Sequence, residues 1–462
     1  MDDQAKHFYF MGICGTAMGS AAVALKERGY RVTGSDASVY PPMSTFLTSH
    51  GIELKEGYQA EHVPEDADYI VVGNALSRGN AEVETVLNRK LRYLSLPELL
   101  KEFFLRGKRN FVISGTHGKT TTSSMLAWLL QHAGLQPGFM IGGIPRNFGE
   151  GARLMDSDFV VMEGDEYDTA FFDKRSKFLH YLPEFVVVNN IEFDHADIFD
   201  SIEDIKLSFR RMLNIVPSNG LVCINGDDAN CLEVAENCPA PVKTVGMGEA
   251  CDVRIEQVEY SGASSSFVID AETYTINMGG EYNVRNAAMA VSGALFAGVD
   301  PEVIQAGLLK FEGIARRQEV RGVTDSGITV VDDFAHHPTA IREALIGMRR
   351  RFEGARVWAV FEPRSNTTRR KVFQNELPEA LSEADAVCVC AVADPAKVAE
   401  DDRLDPELVM ATLREKGVPA FYEAGADAIV ERLKEESREG DVVIVLSNGG
   451  FGGIHEKLLS TL

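Results

Sequence analysis

The stretch Phe111-Val-Ile-Ser114, Gly115-Thr-His-Gly-Lys-Thr-Thr-Thr122, Ser123-Ser-Met-Leu-Ala-Trp-Leu-Leu130 decides the fold of this 462-residue chain. An apolar run of strand type feeds a Gly-rich turn, and the turn opens a segment of helical periodicity. That order is strand, phosphate loop, helix. Glycines let several backbone N–H groups converge on phosphate oxygens, and the helix N-terminus adds partial positive charge. Lys119 then reaches the outer phosphates, and Thr120 is placed to hold Mg²⁺. Only Thr116 and His117 separate Gly115 from Gly118, so the loop is a shortened form of G-x-x-x-x-G-K-[ST].

Downstream, the strand-like runs Phe159-Val-Val-Met162 and Phe185-Val-Val-Val188 each end in polar residues, Glu163-Gly-Asp-Glu-Tyr-Asp168 and Asn189-Asn-Ile-Glu-Phe-Asp-His195. Ligands of open α/β sheets gather outside the carboxyl ends of strands. Thr120, Glu163 and His195 are therefore expected to serve a metal ion that bridges the phosphates of ATP. Tyr282-Asn-Val-Arg-Asn286 heads a helix of small residues, Ala287 to Ala297, and Phe311-Glu-Gly-Ile-Ala-Arg-Arg317 reads as a hinge that would deliver guanidinium groups to phosphates.

Upstream, His7-Phe-Tyr-Phe-Met11, the loop Gly12-Ile-Cys-Gly15-Thr16-Ala-Met-Gly19, a helix from Ser20 to Arg28 and the strand Tyr30-Arg-Val-Thr33 before Asp36 form a Rossmann-type βαβ unit. The glycine spacing is G-x-x-G-x-x-x-G, which favours a nucleotide diphosphate over a dinucleotide. Asp36 could grip a ribose hydroxyl, and Asn74 and Arg78 follow the next strand end, Tyr69-Ile-Val-Val72. The third block again alternates strand and helix: Ile328-Thr-Val-Val331 before Asp332-Asp-Phe-Ala-His-His-Pro338, a helix to Arg351, Val357-Trp-Ala-Val-Phe361 before Glu362-Pro-Arg364-Ser365-Asn366-Thr367, and Val442-Val-Ile-Val-Leu446 before Ser447-Asn448 and four glycines. The expected fold is α/β in three domains: a Rossmann-like domain over residues 1–107, a central P-loop ATPase-like domain over 108–314, and a second Rossmann-like domain, with its own parallel sheet, over 315–462. His336 and His337 make a poor metal pair, since adjacent side chains point apart, and are read as helix-capping and nucleotide-contact residues.

A net charge of −23 argues against a nucleic-acid or anionic-membrane surface. The seven cysteines are scattered without a CxxC pattern, which suits buried reduced thiols. The N-terminal Met-Asp-Asp-Gln-Ala-Lys lacks the apolar core of a signal peptide, and no run reaches eighteen apolar residues, so the expected location is the cytoplasm. A monomer and a homodimer both fit.

In this order and spacing, the phosphate loop, the Glu163 and His195 segments, Asn283-Val-Arg-Asn286 and Asp332 to Thr339 resemble the Mur ligase superfamily, which joins carboxylates to amino groups at the expense of ATP. Within it, the Gly12 loop, Tyr40-Pro-Pro-Met-Ser44, Asn74 to Asn80, Phe171 to Ser176, Glu362 to Thr367 and Ser447 to His455 resemble the murein peptide ligases, with the alanine-adding ligases as the near alternative. The resemblance implies that the first domain holds UDP-N-acetylmuramate through Gly12, Gly15, Thr16, Gly19, Asp36, Asn74 and Arg78, with His117 reaching in from the second. It implies that the second domain holds ATP through Gly115, Thr116, His117, Gly118, Lys119, Thr120 and Thr121. Asn286 would contact adenine, Arg317 the γ-phosphate and Asp333 the ribose, and Lys119, His195 and Arg317 would be the catalytic set. The third domain would take the murein tripeptide on Arg364, Ser365, Asn366, Ser447 and Asn448. The chain departs from the family where a carbamylated lysine often follows the His: Lys206 lies near, but the counted position falls closer to Arg210, so no carbamate is expected. Tyr282 also stands where a His often precedes the Asn.

Overall fold

The computed structural model describes residues 6–462; Met1 to Ala5, most of the N-terminal segment read above, lie outside the described residues. Three parallel-dominated sheets follow one another along the chain. The first has five parallel strands in the spatial order Glu53–Glu56, Arg31–Asp36, His7–Met11, Tyr69–Val72, Tyr93–Ser95. The chain then passes through a helical turn, Leu96–Leu100, and a wider π-type turn, Lys101–Leu105, into Arg109–Ser114.

Arg109–Ser114 is the centre of an eight-stranded sheet. Phe159–Gly164 pairs with it on one side and Phe185–Val188 on the other, both parallel. Ser114 stands level with Gly164 and Val188, so the loop at Gly115 leaves the sheet between two polar strand ends, at a topological switch point. The alternation of side chains explains the stability of this position. Phe111 and Ile113 pack into one core with the helices Lys119–His132 and Glu281–Phe296, while Val112 joins the opposite core, which is continuous with Phe8 and Phe10 of the first domain.

The third sheet places Thr329–Asp333, Val442–Leu446, Val357–Phe361, Ala386–Cys390 and Ala420–Glu423 side by side in parallel. It departs from the expected all-parallel sheet in its edge strand, Glu319–Val323, which runs antiparallel because it enters directly from the hinge with no crossover helix. A three-stranded antiparallel sheet over Glu256–Ser261, Ser264–Ile269 and Glu272–Ile276 was not anticipated from the sequence. The first helix also begins earlier than expected, at Thr16, which puts Gly19 inside it. There a Cβ would come within 2.6 Å of the Met43 sulfur, so Gly19 serves helix packing and is removed from the loop. No helix among the described residues is long and apolar enough to cross a membrane.

Candidate active site

The phosphate loop is built so that only glycine fits at its two turns. Gly115 has φ +126° and a Cβ there would lie 2.9 to 3.0 Å from the backbone of Asn189 and Asn190, while Gly118 has φ +80° and would meet Asn286 Oδ1. Lys119 folds back over the loop: its Nζ donates to Gly115 O (2.7 Å) and to both Glu166 oxygens (3.0 Å each). Burial works against the Lys119 charge, but Glu166, Asp165 and Glu163 outweigh it and hold its pKa above the ordinary value.

Glu166 is the residue that the sequence reading passed over in favour of Glu163. Its carboxylate also takes His195 Nε2 at 2.8 Å. Burial opposes the Glu166 charge, yet Lys119 and His195 keep its carboxyl well below the usual range. Burial likewise opposes charge on His195, and Glu166 with Asp194 raises it. The expected metal trio thus separates into two groups. Thr120 Oγ1 donates to Glu163 at 3.0 Å, and Glu163 accepts Gly142 N–H at 2.7 Å. His195 instead converges with Asp165 and Glu166, whose ligand atoms lie within 4.8 Å of one another. Hydroxyl and carboxylate oxygens suit Mg²⁺, whereas imidazole is an uncommon partner for it. The Thr120 and Glu163 pair fits the ion best.

His195 itself sits at φ +56°, an unusual conformation for a residue with a Cβ. Its N–H donates to Asp194 Oδ1 (2.7 Å) and to Thr367 Oγ1 (3.1 Å), and Thr367 donates to the same Asp194 oxygen (2.7 Å). Thr367 belongs to the third domain, so this contact pins that domain to the loop of Asp194 and His195. Asn366 adds a bond to Asp197 (2.8 Å), and Thr339 donates to Glu192 (2.7 Å), which also pairs with His117 (3.1 Å). His337 caps its helix as expected, accepting from Thr339 N–H, and is held as neutral imidazole by burial.

At the hinge the two arginines divide. Arg316 is committed to structure, donating to Asp332 and to the carbonyls of Ser447 and Gly449 at 2.8 Å each. Arg317 lines the cleft over the phosphate loop, beside Phe334. Asp333 lies in the same cleft, with one oxygen on Gln318 N–H and the other on Ala335 N–H, both at 2.8 Å. Asn286 accepts from Thr122 Oγ1 (3.2 Å), and its buried Nδ2 has no partner. A buried amide donor left over, beside a loop whose glycines a Cβ would fill, is what a nucleotide would complete. Thr121 is buried in the first helical turn after the loop.

In the first domain, Gly15, Thr16 and Asn74 line a cleft of about 930 Å³. Asp36 supports this loop from behind, its carboxylate accepting Cys14 N–H (2.9 Å), with Gly12 at φ +83°. Arg78 is paired bidentately with Glu84 and stays outside the cleft. In the third domain, Arg364, Ser365, Asn366 and Asn448 line a cavity of about 280 Å³. Ser365 is engaged with Thr368, and Ser447 donates to Glu362. Arg364, whose side chain is 42% exposed, is 3.6 Å from Glu362, and Asn448 Oδ1 is buried without a partner. Lys206 is tied to Glu203 and Glu233, and Arg210 to Glu233.

The three spaces meet. The first-domain cleft shares Glu163 and Asp165 with the cleft of about 540 Å³ over the phosphate loop, and the third-domain cavity shares Tyr167, His195 and Asn448 with it. The strand end Glu163 to Tyr167 therefore borders all three, through Glu163 and Asp165 in the first-domain cleft and the cleft over the loop, and through Tyr167 in the third-domain cavity.

Sequence comparison agrees with this layout. The profile for the Mur ligase family, catalytic domain, matches residues 7–108, that for the Mur ligase middle domain residues 113–294, and that for the Mur ligase, glutamate ligase domain residues 316–449. The chain is 42% identical over 460 residues, 98% of both chains, to the UDP-N-acetylmuramate--L-alanyl-gamma-D-glutamyl-meso-2,6-diaminoheptandioate ligase of Escherichia coli K12. It is 32% identical, over 99% of its length and 98% of the relative's, to the UDP-N-acetylmuramate--L-alanine ligase of Desulforapulum autotrophicum. Among solved structures, a murein peptide ligase from Psychrobacter arcticus 273-4 superposes with a TM-score of 0.72 at 34% identity, covering 99% of this chain and 98% of that one. With matching profiles in all three domains and full-length relatives of this similarity, the chain belongs to the Mur ligase family.

Proposed function

We propose that this chain joins the carboxylate of UDP-N-acetylmuramate to the α-amine of the murein tripeptide L-Ala-γ-D-Glu-meso-diaminopimelate, with ATP as the energy source, in the cytoplasmic recycling of cell-wall peptide. The observation that carries the reading is the meeting of three clefts at one acidic strand end. The higher identity to the tripeptide-adding relatives supports tripeptide over free alanine.

A carboxylate entering from the first cleft arrives beside Glu163 and Asp165, where it faces the γ-phosphate of ATP. An oxygen of that carboxylate attacks the γ-phosphorus, and the bond to ADP breaks, leaving an acyl phosphate. Two anions approach each other in this step, so cations decide its rate. Lys119 exchanges its Glu166 partner for phosphate oxygens, and Arg317 adds a guanidinium from the hinge. Thr120 and Glu163 would hold Mg²⁺, which would supply further neutralisation of the phosphates. The amine then enters from the third-domain cavity and attacks the acyl carbon, releasing phosphate and a proton. Arg364 and Asn448 would hold the peptide carboxylates, and Gly15, Thr16 and Asn74 the UDP-sugar. The contacts of Thr367 and Asn366 with the middle domain keep water from the acyl phosphate. Phosphate release measured with UDP-N-acetylmuramate, ATP and either tripeptide or L-alanine tests the reading. Turnover with tripeptide alone is expected; equal or faster turnover with L-alanine would assign the chain to the alanine-adding step.

A further inference from the structure

A further group of metal-ligating side chains stands on the joint between the middle and third domains, apart from the two groups described above. His117 Nε2 lies 3.1 Å from Glu192 Oε2, and His337 Nδ1 lies 3.5 Å from the same oxygen. The three ligand atoms fall within 4.8 Å of one another. His117 comes from the phosphate loop, Glu192 from the strand end after Phe185–Val188, and His337 from the N-cap of the helix Pro338–Arg351. A tetrahedral zinc ion bonded at about 2.0–2.1 Å holds its ligand atoms about 3.3 Å apart, close to the two spacings around Glu192 Oε2.

The tautomer of His337 shows which of its atoms is free. Its Nε2 faces the carbonyl oxygen of Phe193 at 3.3 Å, and a carbonyl only accepts, so Nε2 carries the proton and Nδ1 the lone pair. That lone pair takes only a long bond from Thr339 N–H, 3.3 Å, and stands beside Glu192 Oε2. Two acceptor atoms 3.5 Å apart with no hydrogen between them repel unless a cation joins them. The outer partners are also those of a metal site: a backbone carbonyl on the far nitrogen of His337, and Thr339 Oγ1 donating to Glu192 Oε2 at 2.7 Å. His117 and His337 line the cleft over the phosphate loop, which gives an ion its way in.

We infer that His117, Glu192 and His337 form a site for a divalent transition ion of the zinc class, with the fourth position open, and that the ion fastens the third domain to the phosphate loop. Two imidazoles and one carboxylate favour zinc, nickel or copper over magnesium. The site shares no residue with the Thr120 and Glu163 pair or with the Asp165, Glu166 and His195 group.

The test titrates Zn²⁺ into the full chain by calorimetry, in buffer containing Mg²⁺ and no nucleotide, and reads the melting temperature with and without Zn²⁺. The unmutated chain is compared with His337→Asn, His117→Ala, Thr339→Ala and Glu166→Gln. Asparagine keeps the helix cap of His337 and removes the imidazole. One Zn²⁺ per chain is expected at this site, with a raised melting temperature; an ion taken by the His195 group is counted apart, as the part lost in Glu166→Gln. His337→Asn and His117→Ala should each weaken the site by about 100-fold or more, since losing even an outer partner of a ligand costs about 10- to 100-fold, and Thr339→Ala should weaken it by about tenfold. Glu166→Gln should leave it within about twofold. Absence of Zn²⁺ binding by the unmutated chain would overturn the inference. So would full affinity in either His337→Asn or His117→Ala, or loss of all bound Zn²⁺ in Glu166→Gln.

Discussion

The chain contains two loops of the same local design, each leaving a parallel strand to open a helix, and they solve the anion-binding problem differently. At Gly115 and Gly118 the backbone is packed so tightly against Asn189, Asn190 and Asn286 that no side chain fits, and a buried ammonium waits over the loop on a carboxylate partner. At Gly12 and Gly15 the loop is open: a Cβ on Gly15 would meet nothing closer than 3.5 Å, and the one anion nearby, Asp36, is spent on the loop's own Cys14 N–H. The first loop is made for a multiply charged group that must react. The second, in the function proposed above, only has to hold a diphosphate.

The sharpest way to break this contrast is to remove the ammonium. Lys119→Ala should lower turnover by about 10²-fold or more while melting close to the unmutated chain, since Glu166 keeps His195 as a partner; near-normal phosphate release would sink the phosphate-loop assignment. Next in size is Gly115→Ala. Positive φ and a backbone contact under 3 Å should cost about 1–3 kcal/mol in a denaturant titration, with ATP binding lost as well. Glu163→Ala and His195→Ala should each raise the Mg²⁺ needed for half-maximal rate by about tenfold, with Glu163 the larger, and titration curves that overlay the unmutated one would refute both roles. Arg364→Ala should raise the Michaelis constant for tripeptide by about tenfold and leave that for ATP alone. The smallest effect belongs to Gly15→Ala, a change of less than about 1 kcal/mol in stability, because the position is an open helix N-cap with room for a methyl group. A loss as large as that of Gly115→Ala would show the two loops to be alike after all.

What could be read in advance followed the same division. Strand, loop and helix at residues 111–130 are local, so their residues announce themselves, and the acids at the next strand ends follow from sheet topology. Glu166 could be seen only as one of several acids, because its two partners stand 47 and 29 residues away in the chain. The bond of Thr367 to Asp194 spans 173 residues and carries no local mark. Gly19 was assigned to a loop because a glycine that lets two helices approach looks, in sequence, like one that lets a backbone turn. The antiparallel sheet over 256–276 escaped because its first strand, Glu256 to Ser261, is mostly exposed and shows no alternation of apolar and polar residues.

The shared walls of the three clefts carry a consequence for inhibition. Glu163 and Asp165, together with Gly142, Gly143 and Ile144, line both the first-domain cleft and the cleft over the phosphate loop, so the two share a wall. Two weak fragments, one seated beside Asn74 and the other beside Arg317, could be tethered across that wall by a short linker. Binding of the first would then present the second at an effective concentration in the millimolar range, so the joined compound would gain affinity without any new contact to the protein.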